Sequence, residues 1–129
     1  MLPFAVSFKP GQPAYEQVLY AVKKAIIAGQ LKAGDAFPSV RSISQELRIN
    51  PNTAHKVVTA LVDEGLLEVR PGVGTLVAAA LAGSIMERRR LLDDDVERLV
   101  VEAKTLRVAL DDVIRAVRRH WDRLAKETR

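Results

Sequence analysis

The chain has 129 residues, enough for one small core domain plus an appendage, and carries a net charge of +4. It contains no cysteine, which excludes a disulfide framework and thiol chemistry. No apolar run reaches the ~18 residues of a membrane span and no signal-peptide pattern opens the chain, so a soluble cytoplasmic protein without a membrane partner is expected.

The positive charge suits a nucleic-acid partner without singling one out. It divides evenly: eight Lys/Arg against six Asp/Glu in residues 1–78, then twelve against ten in 79–129. Between Asp35 and Glu64 there are three basic residues and four acidic ones. A nucleic-acid reading must therefore rest on motif geometry.

Residues 1–12 hold Pro3, Pro10 and Gly11 and form an extended lead-in, from which Phe4 and Phe8 are expected to pack on the domain. A first helix is predicted from about Ala14 to Ala28, with Tyr15, Val18, Leu19, Val22 and Ile26 as its apolar stripe and Gly29 as its stop. Residues 30–38 form a connecting loop with a Gly34-Asp35 turn, and Leu31 and Phe37 plug the core.

Ser39 follows Pro38 where an N-cap belongs, and Val40, Ile43 and Leu47 recur at helical spacing. Asn50 is a second N-cap, and Pro51 falls at the first helical position, where its missing N–H costs nothing. Ala54, Val57, Val58, Leu61 and Val62 give the buried stripe of this helix, which ends near Glu64 before Gly65. About three residues, Arg48 to Asn50, separate the two helices, and so short a connection implies a helix-turn-helix.

In such motifs the start of the second helix meets base edges in the major groove. Here that start offers Pro51, Asn52, Thr53, His55 and Lys56. The Asn52 amide suits the adenine edge, which it can bond in two places. Thr53 suits a phosphate or a thymine methyl, Lys56 a phosphate, and Arg41 a phosphate or a guanine. Ser39 and Asn50 join this DNA-facing set as its two caps. Next, Leu66–Arg70 and Thr75–Val77 flank Pro71-Gly72-Val73-Gly74, the pattern of a hairpin wing. Gly72 and Gly74 permit close backbone approach to a duplex, and Arg70 can extend to a phosphate or the minor groove.

These residues resemble the GntR-type bacterial transcription regulators. The run Gly29-Gln30-Leu31-Lys32-Ala33-Gly34-Asp35-Ala36-Phe37-Pro38-Ser39-Val40-Arg41 is similar to the family's opening signature, and Asn50–Thr53, Glu64-Gly65-Leu66 and Gly74–Val77 continue it in order across residues 13 to 78. The resemblance implies a DNA-binding dimer with an appended effector or oligomerisation region, so a small-molecule effector stays open. It carries DNA contacts over to Arg41, Asn52, Thr53, His55 and Gly74. Arg48 stands where the family usually has Gly, Ser42 where it has an acidic residue, and His55 where Arg or Gln is frequent.

After a small-residue linker at 78–83, Ser84 to Arg129 lacks Gly and Pro. Ile85, Leu92, Leu99, Leu106 and Val113 recur every seven residues, with Val96, Ala103, Leu110 and Val117 in the alternate seam. That is a helical surface seeking a partner helix, either one long coiled-coil helix or an antiparallel pair broken near Arg107–Ala109. The tail length resembles the YtrA-type subfamily, which ends in two dimerising helices. The resemblance favours two helices, about 82–105 and 109–126, and implies transporter genes among the targets. Leu92, Val96, Leu99, Leu106, Leu110, Val113, Val117 and Trp121 are the expected dimer contacts.

Other residues read as ordinary structure. His55 and His120 have no ligand partner at metal spacing, so no metal or other cofactor is expected. Arg88-Arg89-Arg90 and Asp93-Asp94-Asp95 read as solvated faces of the tail helix. No catalytic constellation appears.

The expected architecture is mainly α with a small β wing: an N-terminal winged helix-turn-helix over 1–78 and a C-terminal two-helix dimerisation tail over 79–129. The expected function is a dimeric operator-binding transcription regulator, with repression as its sign. The competing reading is a winged-helix protein-interaction module that does not bind DNA, motivated by the acidic balance of 35–64.

Overall fold

A computed structural model describes residues 1–79 and 85–127. The order is α1 (Ala14–Ile27), α2 (Val40–Leu47), α3 (Pro51–Asp63), β1 (Leu67–Arg70), β2 (Gly74–Val77), α4 (Ile85–Arg89), a π-helical segment (Arg90–Asp95), α5 (Val96–Thr105) and α6 (Leu110–Glu127). The described residues fall into two compact units divided between Ala79 and Ile85. Most of the expected 78–83 linker and the first residues of the expected 82–105 helix lie outside the described residues.

The first unit is built on three helices. Val18 and Val22 of α1, Ile43 of α2, and Ala54, Val57 and Leu61 of α3 have no measurable exposure. Leu31 and Phe37 are buried among them, as their position between helices required. The lead-in adds Phe4, whose ring stacks on Phe37 with centroids 5.9 Å apart and planes at 6°. Phe8 does not join it: 42% of its surface stays exposed. Gln17 of α1 explains the path, because it clips the backbone past that point. Its Oε1 accepts from the Lys9 N–H at 2.7 Å, and its Nε2 donates to the carbonyls of Lys9 and Gln12 at 3.1 and 2.9 Å. Lys23 of α1 meets Glu64, the C-cap of α3, at 2.8 Å.

β1 and β2 pair antiparallel with Leu67 opposite Val77 and Arg70 opposite Gly74. The segment before α2, expected as loop, also pairs with β2. Gly34 N–H donates to Val77, Val77 N–H to Asp35 and Phe37 N–H to Thr75, all within 2.9 Å. A single bridge, Ala36 to Leu76, makes this segment a partial third strand. The hairpin alone leaves one edge of β2 unsatisfied, and the pairing fills it.

In the second unit the helical run stops after Thr105 and resumes at Leu110, so the tail holds a break and not one long helix. Arg107, with φ 58°, makes the break. Six residues from Arg90 to Asp95 wind as a π-helix, with Val96 N–H donating to the Leu91 carbonyl. A π turn holds more residues than an α turn, so the seven-residue repeat runs through regular α-helix only from Val96 onward. No described side chain of this unit is buried. Among the described residues no helix is long and apolar enough to cross a membrane.

Candidate nucleic-acid interface

The central stretch is α2, the turn Arg48–Asn50 and α3. Ser39 caps α2: its side chain accepts from the Ser42 N–H at 3.1 Å, and the two hydroxyls lie 3.0 Å apart. Asn50 caps α3 in the same way, with Oδ1 accepting from the Asn52 N–H at 2.8 Å, and Pro51 stands at the first helical position. Both caps expected from sequence are thus formed, and both cap oxygens are engaged within the chain.

The turn closes on Arg48, which takes left-handed φ 55° and ψ 47°. The Ile49 N–H returns to the Ser44 carbonyl at 3.1 Å, and the Ser44 hydroxyl donates to the Ile49 carbonyl at 2.8 Å. Ser44 was not legible as a functional residue. Its role depends on where the turn folds back, which no local pattern announces.

Burial on one side of α3 dictates what shows on the other. Ala54, Val57 and Leu61 lie in the core. Pro51, Asn52, His55 and Lys56 are exposed, and Thr53 is half-buried. Thr53, His55, Lys56, Thr59, Ala60 and Asp63, with Tyr15 of α1, line an open hollow of about 610 Å³. Tyr15 and Thr59 were not among the expected site residues, since Tyr15 was counted in the apolar stripe of α1. It is half-buried, so it serves both the core edge and this hollow.

Arg41 is exposed in the first turn of α2. On the hairpin, Arg70, Gly72 and Gly74 are exposed, and both glycines have positive φ, 77° and 115°. Any side chain at these two positions would be strained, although nothing crowds them. Arg70 does not extend freely: its Nη2 meets Glu68 Oε1 at 2.9 Å. Two alternate residues of one strand share a face, which is the signal that would have revealed the pair.

In the tail, Leu92, Val96, Leu99, Leu106, Leu110 and Val117 are exposed in the single chain, and Val113 is half-buried. Trp121 is 76% exposed, so the described residues cover little of it.

Three helices, a three-residue turn into a helix with an outward polar face, and a glycine-tipped hairpin define a winged helix-turn-helix. A family model described as "Bacterial regulatory proteins, gntR family" matches residues 14–77. The chain is 30% identical over 100 residues to the HTH-type transcriptional repressor YtrA of Bacillus subtilis, covering 77% of each protein. The chain therefore belongs to the GntR family of bacterial regulatory proteins, which are transcription regulators and not enzymes.

Solved structures extend the likeness. A chain titled a transcriptional antiterminator from Listeria monocytogenes superposes with TM-score 0.83 at 20% identity, over 94% of this chain and 91% of that one, which establishes the shared fold. The AraR DNA-binding domain, solved in complex with its operator ORX1, matches with TM-score 0.51 and 28% identity over 57% of this chain and 95% of that one.

Proposed function

We propose that this protein is a homodimeric, operator-binding transcription repressor of YtrA type. It reads the major groove with the start of α3, and it meets the backbone or minor groove with the wing. One observation carries the reading: α3 buries Ala54, Val57 and Leu61 completely while its first turns turn Asn52, His55 and Lys56 outward. A helix anchored on one side with polar groups at its free start suits insertion into a groove. Asn52 is the base reader of the set, its amide being unspent on capping, since only its backbone N–H serves Asn50. Thr53, Lys56 and Arg41 serve phosphates, and Gly72 and Gly74 let the wing backbone approach the duplex.

The AraR domain in its operator complex supports DNA as the partner, and the repressor name of the Bacillus relative supports the sign of regulation. Dimerisation is supported by the tail, whose described side chains include none that is buried. Two helices that leave Leu99, Leu106, Leu110 and Val117 in water are stabilised by a second copy that covers them. Arranging two readers about a two-fold axis then matches a palindromic site. No cofactor is invoked.

Selection of genomic fragments with the purified protein, followed by salt titration of the selected duplex, tests the reading. The affinity should fall steeply with salt, because each neutralised phosphate releases counterions. Little duplex binding even at low salt would instead favour the protein-interaction module.

A further inference from the structure

The wing carries only two ionisable residues: within 66–77 these are Glu68 and Arg70. They stand two apart on β1 and are bonded at 2.9 Å. Across the hairpin Arg70 faces Gly74, which has no side chain to hold it, while Glu68 faces Leu76. The carboxylate is thus the partner that fixes the guanidinium, and the paired wing is electrically neutral. Both groups keep substantial exposure, 40% for Glu68 and 59% for Arg70. An exposed pair of this kind contributes little, so it forms readily and yields readily.

We propose that Glu68 is a specificity-determining residue of the wing, one that lowers affinity for DNA of the wrong sequence. The inference rests on the reading that the wing meets a duplex. Non-specific affinity comes almost entirely from phosphates neutralised by free cations. Arg70 is the wing's only cation, and on a random duplex it must leave Glu68 to serve a phosphate. Its carboxylate then stands close to the phosphate row and is repelled. On the operator, contacts from α3 fix the register first, and the wing is presented to one backbone position. The exchange of carboxylate for phosphate is then supported by contacts that a random duplex lacks. Glu68 therefore penalises non-specific binding more than operator binding.

The test uses the full chain, a short duplex of random sequence and the selected operator. Glu68→Gln should bind the random duplex about three- to tenfold more tightly at low salt, with the slope of log affinity against log salt steeper by about one. The ratio of operator to random-duplex affinity should fall. In an Arg70→Ala background the same substitution should steepen the slope by less, because the cation it frees is gone and only the carboxylate's repulsion is removed. Glu68→Ala, checked for an unchanged melting curve, serves as the second variant. Random-duplex affinity and slope unaltered in both folded variants, or a ratio that rises, would overturn the role of Glu68. Wild-type protein that binds no duplex at low salt would overturn the DNA reading, and the role of Glu68 with it. Wild-type binding without response to Glu68 substitution would overturn the role of Glu68 alone.

Discussion

Ser44 and Ile49 are bonded to each other twice across the helix-turn-helix turn. The Ile49 N–H donates to the Ser44 carbonyl at 3.1 Å, and the Ser44 hydroxyl donates to the Ile49 carbonyl at 2.8 Å. The first bond is available to any residue at 44, but the second needs a hydroxyl. Both residues are half-buried, so water replaces the lost donor poorly. Ser44→Ala should destabilise the protein by about 1 kcal/mol, read as a lowered urea midpoint at unchanged slope. An unchanged midpoint would mean that the hydroxyl contributes nothing to the turn.

A second prediction comes from the way the helices end. Gly29, Arg48, Gly65 and Arg107 all have positive φ, at 82°, 55°, 79° and 58°. In each case the next N–H reaches back five residues: Gln30 to Ala25, Ile49 to Ser44, Leu66 to Leu61 and Val108 to Ala103. Four helices thus stop on the same left-handed closure, two with glycine and two with arginine. A side chain in this region costs on the order of 1 kcal/mol. Arg48→Gly should therefore raise stability by about 0.5–1 kcal/mol, less what glycine's freedom returns to the unfolded chain. Differential scanning calorimetry reads it as a higher Tm, and a lower Tm would show that the Arg48 side chain contributes more than its strain costs.

The same four positions show what could be seen in the sequence. Gly29 and Gly65 announce helix ends locally, and α1 and α3 stop where they were expected. Arg48 and Arg107 announce nothing by residue type. The end of α2 was legible because Pro51 and Asn50 restart a helix immediately after it, whereas the break near Arg107 was one of two options and only a family resemblance chose between them. Buried faces were legible from helical spacing, and so was the outward face of α3. The pairing of Gly34–Phe37 with β2 was hidden, because it depends on hydrogen bonds between segments some forty residues apart in sequence. The π-helical turn at Arg90–Asp95 was hidden as well, since the heptad pattern passes through it unbroken. The Glu68–Arg70 bond could have been read from strand alternation.

Asn50 and Asn52 allow folding and the proposed base reading to be tested apart. The Asn50 side chain accepts the Asn52 N–H, so Asn50→Ala removes a cap and should cost about 1 kcal/mol of stability. The Asn52 side chain is exposed, and Asn52→Ala should leave the urea midpoint unchanged. If Asn52 reads a base, it should weaken operator binding by about 1–3 kcal/mol while leaving random-duplex binding nearly intact. Fluorescence anisotropy on both duplexes measures this. Equal operator affinity for wild type and Asn52→Ala would remove Asn52 from the contact set.

Leu99 tests the tail. It lies on α5 in the part of the seven-residue pattern carried by regular helix, four residues before Ala103 and seven before Leu106. In one chain 43% of its surface meets water, and Leu106 and Leu110 are more exposed still. Leaving such a face uncovered forfeits on the order of 1.5 kcal/mol or more per large side chain. In the proposed dimer a second copy recovers it, and Leu99→Asp would then bury an unpaired carboxylate in the seam. The substitution should convert a dimer to a monomer in analytical ultracentrifugation at micromolar concentration. The first unit has its own core in Val18, Val22, Ile43, Val57 and Leu61, so its unfolding transition should persist in the variant. Operator affinity should fall by far more than random-duplex affinity, because a single reader engages only one half-site. A variant that still sediments as a dimer would place the interface elsewhere than on the Leu99 face.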